Sequence, residues 1–134
     1  MHGRIAPTMA RMDFPRWGAV VGALYGACAV VLSALAAHAW SQVLDPGPAA
    51  QLQRTLQFLF LHALVLVALP PLAAHARRRW LSAASLLFVA GSLLFCGSLA
   101  GAALAGWPTR LAPYGGGALI VAWLCLALGL ALRR

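Results

Sequence analysis

The chain has 134 residues, of which 63% are hydrophobic and only 9% charged, and its formal net charge is +8. Ordinary soluble domains carry about 25% charged residues, so this chain has too few charges to cover a water-exposed surface. The composition excludes a soluble enzyme, a disordered tail and a coiled coil, and it predicts an integral membrane protein. All ten basic residues are arginines that mostly flank apolar runs. That position indicates membrane anchoring and argues against nucleic-acid binding.

Four runs of the sequence are long and apolar enough to cross a hydrocarbon layer of about 30 Å, which takes about 20 helical residues. We therefore predict an all-α bundle of four transmembrane helices in a single membrane domain, residues 17–134, preceded by an N-terminal segment, residues 1–16. Tryptophans stand at both ends of the first and third runs, where indoles favour the headgroup layer: Trp17, Trp40, Trp80 and Trp107. The predicted spans are residues 17–40, 56–76, 80–107 and 112–132.

Between the first two spans, Asp45-Pro46-Gly47-Pro48 predicts a turn that Asp45 is able to cap. Residues 49–55 are expected to be helical and to continue into the second span. Near the other end of that span, Pro70 and Pro71 predict a break or kink, because proline removes helical hydrogen bonds. Residues 72–76 are then expected to lie along the membrane surface.

The arginines also predict an orientation. Eight lie in the N-terminal segment, the second loop and the C-terminus, whereas the other two loops hold only Arg54 and Arg110. By the positive-inside rule, both termini are expected in the cytoplasm and the chain in the bacterial inner membrane as a multi-pass protein. The alternative is a cleaved signal peptide, with a basic segment at residues 4–16 and small-residue sites at 34–36 or 37–39. Against it, the apolar run exceeds the usual length of about 7–15 residues.

Small residues in the spans predict close helix packing. Gly18, Gly22 and Gly26 form a double GxxxG pattern in the first span. We expect these glycines to pack inside a bundle formed by one chain; the alternative is an interface between copies. Further packing positions are expected in the third and fourth spans: Gly97, Gly101, Gly115 and Gly116.

The lack of carboxylates in the spans and the spacing of the cysteines argue against two classes of membrane protein. The spans contain no carboxylate, which argues against a proton-coupled exporter that depends on one. Cys28, Cys96 and Cys125 each lie in a span without a CxxC pair, which argues against a disulfide-forming protein. Their expected role is helix packing.

Four polar residues on three spans are expected at similar depths in the outer half of the bundle: His38, Gln57, His62 and Ser98. Three interpretations compete for this expected cluster. The favoured one is an interhelical hydrogen-bond network that fixes the bundle. The second is a metal or haem site on His38 and His62, which lack cysteine or carboxylate support. The third is a Ser98–His62 hydrolytic dyad, for which the spans supply no acid to orient the base.

Four segments occur in the order expected of one known family: His38-Ala39, residues 55–64 (TLQFLFLHAL), residues 95–99 (FCGSL) and residues 113–116 (PYGG). On them the chain resembles the YgdD/YwdK-like small integral membrane proteins, domain of unknown function 423, over roughly residues 18–132. It departs from the family pattern in having no glycine before Ala37-His38, Phe58 where tyrosine is expected, Cys96 where serine is expected, and the Pro70-Pro71 pair.

The resemblance implies a membrane bundle but transfers no activity. The leading hypothesis is a non-enzymatic accessory or interaction subunit without a cofactor. Its expected partners are the lipid bilayer and either another membrane protein or a second copy of itself, and not nucleic acid. The alternative hypothesis is a protein that handles a small ligand, a metal or haem through His38 and His62.

Overall fold

The computed structural model describes residues 14–132, and these form four long α-helices joined by short loops. Each helix is long and apolar enough to cross a membrane, and no strand occurs between residues 14 and 132. The predicted all-α architecture of four spans is therefore confirmed. Most of the N-terminal segment, residues 1–13, and the C-terminal Arg133 and Arg134 lie outside the described residues. The helices are α1 (Phe14–His38), α2 (Pro46–Leu72), α3 (Arg78–Ala105) and α4 (Ala112–Ala131).

Helix α2 begins earlier than the hydropathy of the chain suggests. Pro46 is its first residue, a position where the missing N–H costs no helical hydrogen bond. Asp45 precedes it in an extended conformation, but its side chain makes no capping hydrogen bond. The helix expected over residues 49–55 is part of α2 and continues into the second span as predicted, and it begins three residues earlier, at Pro46.

The other end of α2 confirms the predicted break at the prolines. Pro70 and Pro71 occupy the last turn, and the helix ends at Leu72. In the segment expected along the membrane surface, Ala74 and His75 are exposed, whereas Ala76 is fully buried. The Arg77 N–H then donates a hydrogen bond of 2.9 Å to the carbonyl of Gly129, near the end of α4. That bond ties the loop between α2 and α3 to α4.

The helices associate mainly as two pairs, α1 with α2 and α3 with α4, which α2 and α3 join in the middle. Short loops reverse the chain each time, so the loops at residues 39–45 and 106–111 share one end of the bundle. We call this the two-loop end. At the opposite end and in the middle, apolar side chains from α2, α3 and α4 form the main core, which includes Leu66, Leu69, Leu81, Phe88, Leu119 and Leu126.

The α1 glycines lie against α2 of the same chain. A Cβ on Gly22 would stand 2.6 Å from the Cβ of Leu66 and 2.9 Å from the carbonyl oxygen of Ala63. A Cβ on Gly18 would collide with the hydroxyl of Ser85 on α3, and one on Gly26 would lie 3.7 Å from the Cβ of Ala63. The stripe that could have been an interface between copies is thus used inside the bundle.

Helices α3 and α4 make an equally close crossing. A Cβ on Gly115 would stand 2.8 Å from the Cα of Phe95, and Gly116 lies beside the ring of the same residue. Opposite them, a Cβ on Gly91 would lie 3.1 Å from the carbonyl oxygen of Gly115. The sequence patterns did not identify Gly91, although its close approach to Gly115 is one of the contacts that form this crossing.

The two remaining glycine predictions for α3 have a different outcome. Gly97 is exposed, and nothing lies within 4 Å of where its Cβ would be, so the expected packing role for it is wrong. Gly101 packs not against another helix but against the Trp107 indole from the following loop. Gly106 makes this reversal possible, because its φ of 66° is a left-handed conformation that glycine adopts without strain.

Candidate functional site

His62 is the most enclosed ionisable side chain among the described residues, with 2% of its surface exposed. It lies in the middle of α2, and its Nδ1 is 2.8 Å from the carbonyl oxygen of Phe58, one turn earlier on the same helix. Because a carbonyl only accepts, Nδ1 carries the proton in this bond, and in the neutral ring Nε2 bears the lone pair. A buried imidazole in a membrane helix is a candidate functional residue by default.

Aromatic rings surround this imidazole. The ring centroid of Phe58 is 5.2 Å away, that of Phe88 on α3 is 5.8 Å away, and that of Trp123 on α4 is 6.3 Å away. Phe88 and Trp123 also meet edge to face at 5.2 Å. These contacts lie within the usual range for packed aromatic pairs. His62 therefore acts as part of an aromatic layer that ties α2 to α3 and α4.

The interhelical hydrogen-bond network expected for the cluster is not formed at His62, whose observed hydrogen bond stays within α2. The four residues of the expected cluster also do not meet. Gln57 is exposed while His62 is buried, because five residues along a helix correspond to a rotation of about 140°. They point to different sides of α2 despite their similar depth.

His38 is equally remote from His62. It is the last residue of α1 and is exposed. Gly26 lies beside Ala63, the neighbour of His62, so His38 stands twelve residues further along α1, about 18 Å away. Two imidazoles at that separation do not share a metal ion or a haem iron.

Ser98 lies away from His62 in the same direction. The His62 ring contacts Phe88, and Ser98 follows Phe88 by ten residues, about 15 Å along α3. Its hydroxyl is buried and has no hydrogen-bond partner among the described residues. The same holds for Ser92, which is fully buried and which sequence reasoning missed. A Ser98–His62 dyad is excluded by this spacing.

Gln57 faces a different feature, a cavity of about 600 Å³ between α1 and α2 near the two-loop end. A smaller cavity of about 260 Å³ shares Ser33, Leu56 and Gln57 with it and continues along the helices to Ala29 and Phe60. We call the two together the α1–α2 groove. Its polar side chains are Ser33, Ser41, Gln53 and Gln57.

Sequence information could have found part of this arrangement. Phe58 lies four residues before His62, a spacing that places both on one face of a helix. Phe88 and Trp123 could not be found in this way, because their contact with His62 depends on how α3 and α4 are shifted and rotated against α2. The same is true of the groove that Gln57 and Ser33 share.

One comparison with known proteins bears on the chain. A family model described as "Protein of unknown function (DUF423)" matches residues 32–116, a range that contains the end of α1, all of α2 and α3, and the start of α4. No solved structure matches the chain.

Proposed function

We propose that this chain, which belongs to the DUF423 family of proteins of unknown function, is a non-enzymatic accessory subunit. It would bind a transmembrane helix of a partner protein. The partner helix would lie in the α1–α2 groove, on the side of Gln57. We further propose the bacterial inner membrane as its location, with both termini in the cytoplasm, as the arginine distribution favours.

The observation that carries this proposal is the position of Gln57. If Trp80 marks one boundary of the hydrocarbon layer, about 20 residues of α3 cross it, and the other boundary lies near Leu99. The hydrogen bond of 3.0 Å from Gln51 Nε2 to the Leu99 carbonyl oxygen puts Gln51 near the same boundary, which serves as the reference depth. Gln57 follows Gln51 by six residues, so its backbone lies about 9 Å further into the hydrocarbon layer.

At that depth an exposed amide is costly. The Gln57 side chain is exposed, and it makes no hydrogen bond with another described residue. Lipid chains offer no hydrogen bonds, and an unsatisfied polar group in hydrocarbon costs several kcal/mol. A polar group on a neighbouring transmembrane helix would remove that cost, and such interhelical bonds contribute about 0.6–2 kcal/mol.

Supporting evidence against an enzymatic role comes from His62. The proton of its Nδ1 is engaged by a main-chain carbonyl, and the ring is enclosed by aromatic side chains. No carboxylate lies in α1–α4 among the described residues to orient it as a base. We therefore assign His62 a structural role in the aromatic layer.

Site-specific cross-linking tests the proposed interface. A photoreactive amino acid at Phe60, at the end of the groove, is expected to form a covalent adduct with a second membrane protein in living cells. The same amino acid at Leu124, an exposed position on α4, is the control and is expected to give lipid adducts only. An adduct with a second copy of the chain, recognised by its mass, would overturn the proposed partner protein and show that the groove is an interface between copies.

The role of Gln57 is tested in the same assay. Gln57→Leu is expected to reduce the Phe60 adduct about 3- to 30-fold, the range that corresponds to one interhelical hydrogen bond. Gln42→Leu, at an exposed glutamine outside the groove, is expected to leave it unchanged. Equal adduct yields in the two variants would refute the proposal.

A further inference from the structure

On the other side of α2, a second groove opens between α2 and α3 at the two-loop end. Its volume is about 510 Å³, within the usual range of ligand sites of roughly 300–1,000 Å³. Phe58, Phe95 and Leu99 supply its apolar walls. Arg54 also lines it and is the only charged residue between residues 14 and 132 that does. We call it the α2–α3 groove.

The other two polar side chains of this groove each donate a hydrogen bond within the protein. Gln51 donates from Nε2 to the carbonyl oxygen of Leu99 at 3.0 Å. The hydroxyl of Thr55 donates to the carbonyl oxygen of Gln51 at 2.8 Å. Arg54 is different, because its guanidinium makes no ion pair or hydrogen bond with another described residue. The positive charge of the groove is therefore that of Arg54, and its guanidinium donors are open to a ligand.

The depth of Arg54 favours a counter-ion in the headgroup layer. It follows Gln51 by three residues, so its backbone lies about 4.5 Å below the reference depth at Gln51 and Leu99. An arginine there extends its side chain back toward the headgroups while its methylene groups stay in apolar surroundings. The only acidic residue between residues 14 and 132 is Asp45, which precedes the first residue of α2. At the level that the guanidinium reaches, every bilayer presents phosphates.

From this arrangement we propose that the α2–α3 groove is a binding site for one phospholipid. Its phosphate would accept two hydrogen bonds from the Arg54 guanidinium, a fork that matches phosphate geometry. The start of one acyl chain would lie along Phe58, Phe95 and Leu99. The site shares only Ala50 with the α1–α2 groove, and Arg54 lines one groove while Gln57 lines the other, so either proposal can fail without the other.

Native mass spectrometry of the purified full-length protein tests the site. The protein, in a detergent with an uncharged headgroup, is titrated with dioleoyl phosphatidylglycerol. The parent is expected to retain one lipid, and Arg54→Gln to bind it about tenfold more weakly, since a charge-assisted hydrogen bond is lost. Arg110→Gln is the matched control, because Arg110 is exposed at the same end but does not line the groove. Arg54→Lys, which keeps the charge, is expected to recover part of the binding.

Two further probes separate the phospholipid from simpler ligands. Dioleoylglycerol, with the same chains and no phosphate, is expected to bind the parent about as weakly as phosphatidylglycerol binds Arg54→Gln. Inorganic phosphate is expected not to displace the lipid, because it cannot use the apolar walls. Equal loss in Arg54→Gln and Arg110→Gln would overturn the proposal, as would equal binding of dioleoylglycerol, or displacement by phosphate at the concentration of the lipid.

A stability readout covers the case in which Arg54→Gln lowers the yield of folded protein. Phosphatidylglycerol is expected to raise the Tm of the parent and of Arg110→Gln, because a ligand bound only by the folded state stabilises it. It is expected to raise the Tm of Arg54→Gln by less, because that variant binds the lipid more weakly. An equal rise in Tm for all three proteins would show that the lipid acts as a solvent and not as a ligand of this groove.

Discussion

Gly115 offers the sharpest test of how α3 and α4 pack, because a matched glycine lies two residues away on the same helix. A Cβ on Gly115 would stand 2.8 Å from both the Cα and the Cβ of Phe95, and it would also collide with the Phe95 backbone nitrogen. Carbon atoms pack at about 3.5–4.0 Å, so Gly115→Ala requires the two helices to move apart by about 1 Å. Backbone atoms cannot rotate away as a side chain could.

The size of the effect follows from two opposing contributions. Forcing an extra methyl group into a packed contact costs about 1–3 kcal/mol. Replacing glycine by alanine within a helix gains up to about 1 kcal/mol. Gly117→Ala receives only the gain, because Gly117 is exposed and nothing lies within 4 Å of its added Cβ. Gly115→Ala is therefore expected to be less stable than Gly117→Ala by about 1–3 kcal/mol.

The measurement is the free energy of unfolding, obtained by titrating dodecyl sulfate into the protein in a mild detergent and following tryptophan fluorescence. Both variants carry the same chemical change on the same helix, so their difference isolates the contact with Phe95. If Gly115→Ala is as stable as Gly117→Ala, the close crossing of α3 and α4 does not exist in the folded protein.

Three other predictions concern α1, His62 and the orientation. Gly22→Ala is expected to be less stable than Gly97→Ala by about 1–3 kcal/mol in the same titration, because only Gly22 touches the backbone of a neighbouring helix; equal values would mean that the α1 stripe faces lipid. The free energy of unfolding of His62→Phe is expected to lie within about 1.5 kcal/mol of the parent value. His62→Ala is expected to lower it by about 3–5 kcal/mol, because it removes a ring from the aromatic layer. A large loss in His62→Phe would show that the polar atoms matter more than the ring. In a background without the native cysteines, a cysteine at Gly47 is expected to react with an impermeant thiol reagent in intact cells, and a cysteine at Ala74 only after permeabilisation; the reverse would invert the topology.

Helix α2 shows which parts of a helix hydropathy predicts and which parts it misses. Its apolar run predicted a helix at the correct place in the chain, and Pro70-Pro71 predicted its end within two residues. Hydropathy puts the start of the span at Leu56, and the residue types at 49–55 extend the predicted helix to Ala49, three residues after its observed start at Pro46. Hydropathy follows the membrane and not the hydrogen bonds, so by itself it misses the helical turns that extend beyond the apolar layer.

The candidate site shows the same limit in another form. Counting residues from the apparent ends of the spans predicts similar depths in the membrane for His38, Gln57, His62 and Ser98. Counting gives a position along each helix axis but neither the rotation of the helix nor its shift against its neighbours. The rotation separates Gln57 from His62, and the shift separates His62 from Ser98 and His38.

The composition and the four apolar runs were enough to predict an all-helical bundle of four membrane-spanning segments, because the cost of exposing backbone groups to lipid leaves a long apolar run little choice but a helix. The small residues also predicted close approach at Gly22 and Gly115. The packing of the helices against one another sets which helices use these glycines, brings His62 into an aromatic layer with Phe88 and Trp123, and places Gln57 and Arg54 in grooves on two sides of α2. Those arrangements arise from packing between helices, where van der Waals contacts of similar strength are available in many registers, and the fit of all side chains together selects one.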